Sequence, residues 1–223
     1  MNRYKEILQK LENKVPFAFN RFNDGEMKGI LQPGCVVSRG DQVVTKDLSD
    51  MLTEALKHSQ ENYIKGKPCS VCFPEYDMIF YRINSDDNVT NATVLINRNY
   101  TDFMIKAPGL FQKYDNIYWI GNSNHNVTKL EQYLNVKIQK LVSVSAQNAW
   151  ADFNAVKHLY KKIKDNSLVL LSCGVLERVL VYYFFKHNPN STYLSIGSMF
   201  DPLTRNVYHK YHKNVLKPCS ECN

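Results

Sequence analysis

The sequence predicts an α/β fold, a mostly parallel, Rossmann-like sheet with helices on both faces, in a single domain spanning residues 1–223. Three observations predict it. Apolar runs of strand length alternate with stretches at helical spacing from one end of the chain to the other. The runs are near-continuous, as expected of strands buried on both faces of a parallel sheet. A chain of 223 residues, 44% hydrophobic and 22% charged, is long and apolar enough for one domain with a full core.

The elements follow in order. Residues 1–14 form an amphipathic helix, with Ile7, Leu8 and Leu11 on one face. Val15 to Phe22 is a buried strand that runs into a polar turn, Asn23-Asp24-Gly25-Glu26, before Met27–Leu31 and a loop broken by Pro33-Gly34. Asp47 to Tyr63 is a helix by the spacing of Leu48, Met51, Leu52, Ala55, Leu56 and Tyr63, with Thr45 or Asp47 as its cap. A cysteine-containing loop occupies 65–74 and a short helical or irregular segment 75–84. Ala92-Thr93-Val94-Leu95-Ile96 is a strand by its β-branched content. Tyr100 to Lys113 is a helix interrupted at Pro108-Gly109. Further strands are expected at 116–121, 136–144, 167–172 and 192–196, and helices at 128–134, 149–164 and 174–186. In such a sheet ligands bind beyond the carboxyl ends of the strands. The loops at 23–26, 97–102, 121–125, 145–148, 172–175 and 197–201 are therefore the places to look.

Composition narrows the function classes. No run of about 18 apolar residues exists, and the N-terminal helix lacks the apolar region of a signal peptide. The expectation is a protein without membrane insertion that stays in the cytoplasm, or in a host's cytoplasm if viral. A formal charge of +7 suits a polyanionic partner such as a nucleic acid, an acidic glycan or a diphosphate, and equally a merely basic soluble protein. Lysine and arginine are spread along the chain, without a block that would mark a polybasic tail.

Asp24 and Glu26 lie two apart directly after a strand, separated by Gly25. In a turn, residues so spaced can face one point, and the glycine leaves that point uncrowded. Two carboxylates there suit a hard divalent cation, Mn²⁺ or Mg²⁺, bridging a diphosphate. The same spacing also occurs in ordinary strand-to-helix turns with Asp24 as a cap. Arg21 just upstream and Arg39, in Ser38-Arg39-Gly40-Asp41, are candidate phosphate partners. His125, after a strand, could touch substrate, but reads as a solvated loop residue.

The stretch Phe19-Asn20-Arg21-Phe22-Asn23-Asp24-Gly25-Glu26 resembles the Arg-Phe-Gly-Asp-Gly-Glu signature of the GT-D type of glycosyltransferases, whose D-x-E motif binds a metal and a nucleotide-sugar. Later segments resemble that family in the same order. They are Leu95 to Tyr100 with Asn97, Ser145 to Trp150 with Asn148, Leu170 to Leu176 with Gly174, and Ile196 to Pro202 with Ser198 and Asp201. Asn23 stands where the family has glycine, and no proline follows Gly174. The resemblance implies a metal-dependent transferase with a GT-D-like sheet. Asp24 and Glu26 would hold the cation against the donor diphosphate, with donor contacts at Arg21, Asn97, Asn148 and Ser198. The helix opening at Gly174 would present free N–H groups to an anion. Asp201 is the favoured base for an acceptor hydroxyl, ahead of Glu177.

The cysteines carry a separate signal. Lys67-Pro68-Cys69-Ser70-Val71-Cys72 and Lys217-Pro218-Cys219-Ser220-Glu221-Cys222 are nearly the same hexapeptide. Two such C-x-x-C knuckles supply four thiolates for a structural Zn²⁺, which would staple the tail 205–223 back onto the domain. Free or redox-active cysteines are the other reading.

The leading expectation is thus a nucleotide-sugar-dependent glycosyltransferase, UDP-sugar being the first donor to consider, with a glycan or glycoprotein as acceptor. Charge and the zinc knuckles support an alternative, a DNA glycosyltransferase acting on a modified pyrimidine, as in phage DNA modification. A non-catalytic, zinc-stapled nucleic-acid-binding module is the third reading.

Overall fold

A computed structural model describes residues 2–37, 42–213, 219 and 221. The chain begins with α1 (Arg3–Glu12), which buries Tyr4, Ile7 and Leu11 and is capped by the Asn2 side chain accepting the Tyr4 N–H. Then come β1 (Ala18–Arg21), α2 (Asp24–Leu31), the short strands β2 (Val36–Val37) and β3 (Gln42–Val43), which pair antiparallel, and α3 (Lys46–Lys57). Next are β4 (Tyr63–Lys67), α4 (Pro74–Ile83), β5 (Val89–Asn91), α5 (Tyr100–Phe111), β6 (Ile117–Asn122), α6 (Thr128–Leu134) and β7 (Ile138–Val144). The chain continues through α7 (Phe153–Val156), β8 (Leu168–Ser172), α8 (Leu176–His187), β9 (Thr192–Ser195) and α9 (Asp201–Thr204).

The main sheet has seven strands in the order β5-β4-β1-β9-β8-β6-β7, and every pairing in it is parallel. Both faces are covered. One core, with Phe22, Leu52, Phe80, Val179 and Phe184, lies under α2, α3, α4 and α8. The other, with Ile7, Phe19, Phe103, Trp119 and Leu194, lies under α1, α5 and α6. The expected fold class is therefore the observed one. The early strands build outward from β1 to one edge, the later ones fill the other half, and the halves meet between β1 and β9.

Four local expectations are corrected. The helix expected to reach Tyr63 ends at Lys57, and Tyr63–Lys67 is instead an inner strand. A fully buried lysine hides that strand in the sequence: Lys65 pairs with Asp86 at 3.2 Å and donates to the carbonyls of Leu56 and His58. The strand expected at 92–96 lies just earlier, at Val89–Asn91. There the Asn91 side chain accepts the Thr93 N–H and hydroxyl and turns the chain, so Val94, Leu95 and Ile96 are buried in a turn. The helix expected at 149–164 is broken into 3-10 turns around α7. Pro108, expected to interrupt α5, sits inside it. The carbonyl of Met104, deprived of its i+4 donor by the proline, accepts the Tyr133 hydroxyl at 2.7 Å.

Candidate active site

The carboxyl ends of β1, β6, β8 and β9 surround a cavity of about 360 Å³, lined among others by Arg21, Glu26, Asn122, His125, Asp201 and His209. The sequence places polar residues here because each strand ends on one: Arg21, Asn122, Ser172 and Ser195.

The floor is a buried charge cluster. Arg178, in the first turn of α8, pairs with Glu26 at 3.0 Å and with the adjacent Glu177, and donates to the carbonyls of Arg21 (2.7 Å) and Gly174 (3.1 Å). Glu177 is fully buried and also accepts from the Ser195 hydroxyl (2.6 Å) and the Cys173 N–H (3.1 Å). Burial pushes its pKa up, and Arg178 and Arg21 oppose that shift. Arg21 donates to the Ile196 carbonyl at 3.1 Å, and its Nε finds no partner among the described residues. Burial, then the charge of Arg178, lowers its pKa. Gly197 lies against this guanidinium: a Cβ there would sit 3.3 Å from it, and its φ of +51° already favours glycine.

Asp24 and Glu26 do not occupy an open turn. They fill the first turn of α2, where residues two apart project roughly 200° apart around the helix axis. Glu26 lines the cavity and accepts the Asn23 N–H at 2.9 Å, so Arg178 and the backbone already engage its carboxylate. Asp24 is exposed as a whole residue. Protein around its carboxyl still excludes enough water to raise the pKa, and the charge of Glu26 raises it further.

On the opposite wall, Asp201 is 3% exposed and meets His209 Nε2 at 2.9 Å and Arg205 at 3.6 Å. Ser198 shares a hydrogen bond of 2.7 Å with the Tyr211 hydroxyl. His125, expected to be solvated, is 5% exposed. Both its ring nitrogens, the Asn122 Oδ1 and the Trp119 Nε1 lack a partner among the described residues. Gly121 admits the two rings, because a Cβ there would lie 2.3 Å from the indole nitrogen and 3.1 Å from the imidazole. Burial, aided by Arg205 and Lys140, lowers the His125 pKa to about 4. The ring is neutral at pH 7 and offers one donor and one acceptor.

Of the residues singled out in the sequence, Arg21, Glu26, His125, Gly174, Glu177, Ser198 and Asp201 come together around the cavity, and Asp24 is not among its lining residues. Asn148 lines an adjoining hollow of about 40 Å³ that shares Asn122 and Gly174 with it, and there accepts from Gln42 at 2.8 Å. Asn97 is not among the lining residues, and Arg39 and Cys222 lie outside the described ones. The anion site expected at Gly174 differs in detail. Helix α8 starts at Leu176, and the chain's own Glu177 takes the Cys173 N–H. Sequence reasoning missed Arg178, Arg205 and His209. Adjacent charges in the otherwise apolar run Leu176-Glu177-Arg178-Val179-Leu180-Val181 flag Arg178. His209 carries no comparable signal.

No protein-family model and no curated protein matches the chain. Solved structures do. One, described as showing that the highly conserved domain of unknown function 1792 has a distinct glycosyltransferase fold, is 15% identical with a TM-score of 0.71. That alignment covers 98% of this chain and 91% of the other. Another, described as a new glycosyltransferase of the same domain type from Streptococcus sanguinis, is 20% identical with a TM-score of 0.68. It covers 88% and 80% of the two chains. At these identities the likeness establishes a shared fold.

Proposed function

We propose that the chain is a glycosyltransferase that takes a sugar from a nucleotide-diphosphate sugar, UDP-sugar first, and passes it to a hydroxyl of a glycan or glycoprotein. The observation that carries this reading is the cavity between β1 and β9. It joins Arg21 and Glu26 to Asp201 in a sheet whose solved likenesses are described in glycosyltransferase terms.

The chain's residues divide the work. Arg205, a third exposed at the rim, and Arg21, whose Nε has no partner among the described residues, supply positive charge for a diphosphate. His125 and Asn122 offer hydrogen-bonding atoms with no partner among the described residues, which suit a sugar or a base. The Asp201–His209 pair faces the acceptor. In an inverting transfer it would take the hydroxyl proton as the acceptor oxygen bonds the sugar carbon and the carbon–phosphate oxygen bond breaks. Exposed Asp24, its ionisation opposed first by the surrounding protein and then by Glu26, fits a hard cation that would relieve both. Glu26, engaged by Arg178 and the Asn23 N–H, would set the charge beside that cation and not share it in the arrangement seen. Mn²⁺ or Mg²⁺ held there would stabilise the leaving diphosphate as a Lewis acid.

Calorimetric titration of UDP, GDP and TDP with Mn²⁺ or with EDTA tests the donor side. Saturable, Mn²⁺-dependent heat for one nucleotide, lost in Asp24→Asn, is expected, and no heat with any of them would sink the proposal. The charge of +7 keeps DNA carrying a modified pyrimidine as the second acceptor class, to be assayed beside glycans.

A further inference from the structure

The paired cysteine knuckles play no part in the reading above, and the fold brings them together. Cys69, Cys72 and Cys219 form a cluster whose sulfurs all lie within 4.8 Å of one another. Cys69 Sγ and Cys72 Sγ are 3.4 and 3.5 Å from Cys219 Sγ. Four sulfurs around a tetrahedral Zn²⁺ with bonds of about 2.3 Å stand about 3.8 Å apart; the two separations to Cys219 are slightly shorter than that and the third lies within 4.8 Å. Contacts around the cluster support the same junction. The Glu221 carboxylate accepts the Ser70 N–H at 3.0 Å and the Ser70 hydroxyl, tying the second knuckle to the first across the sequence.

The knuckle at Cys69 follows β4 and the tail follows β9, both at the carboxyl end of the sheet, with β1 between those strands. The tail supplies part of the cavity on its way. Val207 and His209 line the cavity, His209 holds Asp201, and Tyr211 bonds Ser198. The rings of Tyr211 and His212 lie 5.4 and 4.9 Å from that of Tyr100. What keeps this segment over the cavity is therefore a question about the site itself. In the described part of the tail Tyr211 packs against the core beside Tyr100, while Tyr208 is exposed and the 3-10 turn Lys210–Lys213 buries no residue fully.

We propose that Cys69, Cys72 and Cys219, with Cys222 as the fourth thiolate supplied by the spacing, bind one Zn²⁺, and that this staple holds the cavity wall formed by residues 207–213. The site is structural, because four thiolates leave no coordination position for a substrate. Zinc displaces the thiol protons, so loading releases protons and needs no oxidant.

The test uses the whole chain, purified under reducing conditions without chelator. Metal analysis should find one zinc per chain, released by a mercurial thiol reagent. Cys219→Ser should lower occupancy at least tenfold, and Cys35→Ser, away from the cluster, should keep it. Hydrogen exchange in the zinc-stripped wild type should speed up at least tenfold in 207–213 and stay unchanged in β6 and β8. This readout needs no folded variant and no sugar donor, so it stands or falls apart from the transferase reading. Folded protein that neither carries zinc nor takes it up at equimolar concentration would overturn the site, as would a Cys69–Cys219 disulfide in the purified protein. Stoichiometric zinc whose removal leaves exchange in 207–213 unchanged would overturn the wall-holding role.

Discussion

Replacing Arg178 with methionine probes the charge cluster under the cavity. The substitution keeps the aliphatic volume and removes a guanidinium that pairs with Glu26 and Glu177 and satisfies the carbonyls of Arg21 and Gly174. Glu177, with no exposed surface, would keep a hydroxyl, an amide and the charge of Arg21 but lose its ion-pair partner. Breaking a buried ion pair from one side costs roughly 3–5 kcal/mol, because the remaining charge stays desolvated. For a chain of this length that corresponds to a fall in Tm of about 6–20 °C. Urea denaturation followed by circular dichroism reads the loss directly. Adding Glu177→Gln removes the stranded charge and should restore part of it, about 1–2 kcal/mol. A single variant that loses less than about 1 kcal/mol would refute the reasoning, since Glu177 would then have found water or a proton at little cost.

Three further outcomes follow from the same geometry. His125 titrates near 6.5 when unfolded and about 4 when folded, so between those values the unfolded chain binds the extra proton and stability falls as pH falls. His125's share of the loss should approach about 3 kcal/mol by pH 4, and His125→Gln should remove that share from a pH series of urea melts, leaving the part due to His212, whose pKa burial also lowers to about 4. Gly66→Ala would place a Cβ 2.8 Å from the Ala92 backbone, so β4 and β5 must part, at a cost of roughly 1–3 kcal/mol in thermal melts. Asp201→Asn leaves His209 without its carboxylate and should reduce transfer to the best acceptor by about 10²–10⁴-fold, with nucleotide affinity within about twofold by calorimetry.

How far the sequence reveals this arrangement depends on which residues carry the information. β1, β6, β8 and β9 sit in mostly apolar runs and could be read directly, and with them the positions at or just beyond their ends, Arg21, Gly174, Ser198 and Asp201. β4 could not, because a buried Lys65 and a glycine interrupt its apolar pattern and only the distant Asp86 explains the lysine. Acidic Asp24 and Glu26 were visible as a pair, yet their geometry depends on α2 starting one residue after Asn23 and on Arg178 arriving from α8. His209 and His125 become part of the site only through the folding of the tail and the gap at Gly121, which no local pattern records. The cysteine knuckles were legible because a repeated hexapeptide is a local signal, and three of their four thiols meet in the fold.

Transferase activity is tested most simply by release of free nucleoside diphosphate from a panel of UDP-, GDP- and TDP-sugars, with Mn²⁺ or with EDTA. Slow hydrolysis of one donor is expected, requiring the metal, abolished in Asp24→Asn and accelerated by the right hydroxyl acceptor. Failure of every donor to turn over, with no thermal shift from any nucleotide, would contradict it and leave the cavity between β1 and β9 without a nucleotide-sugar role.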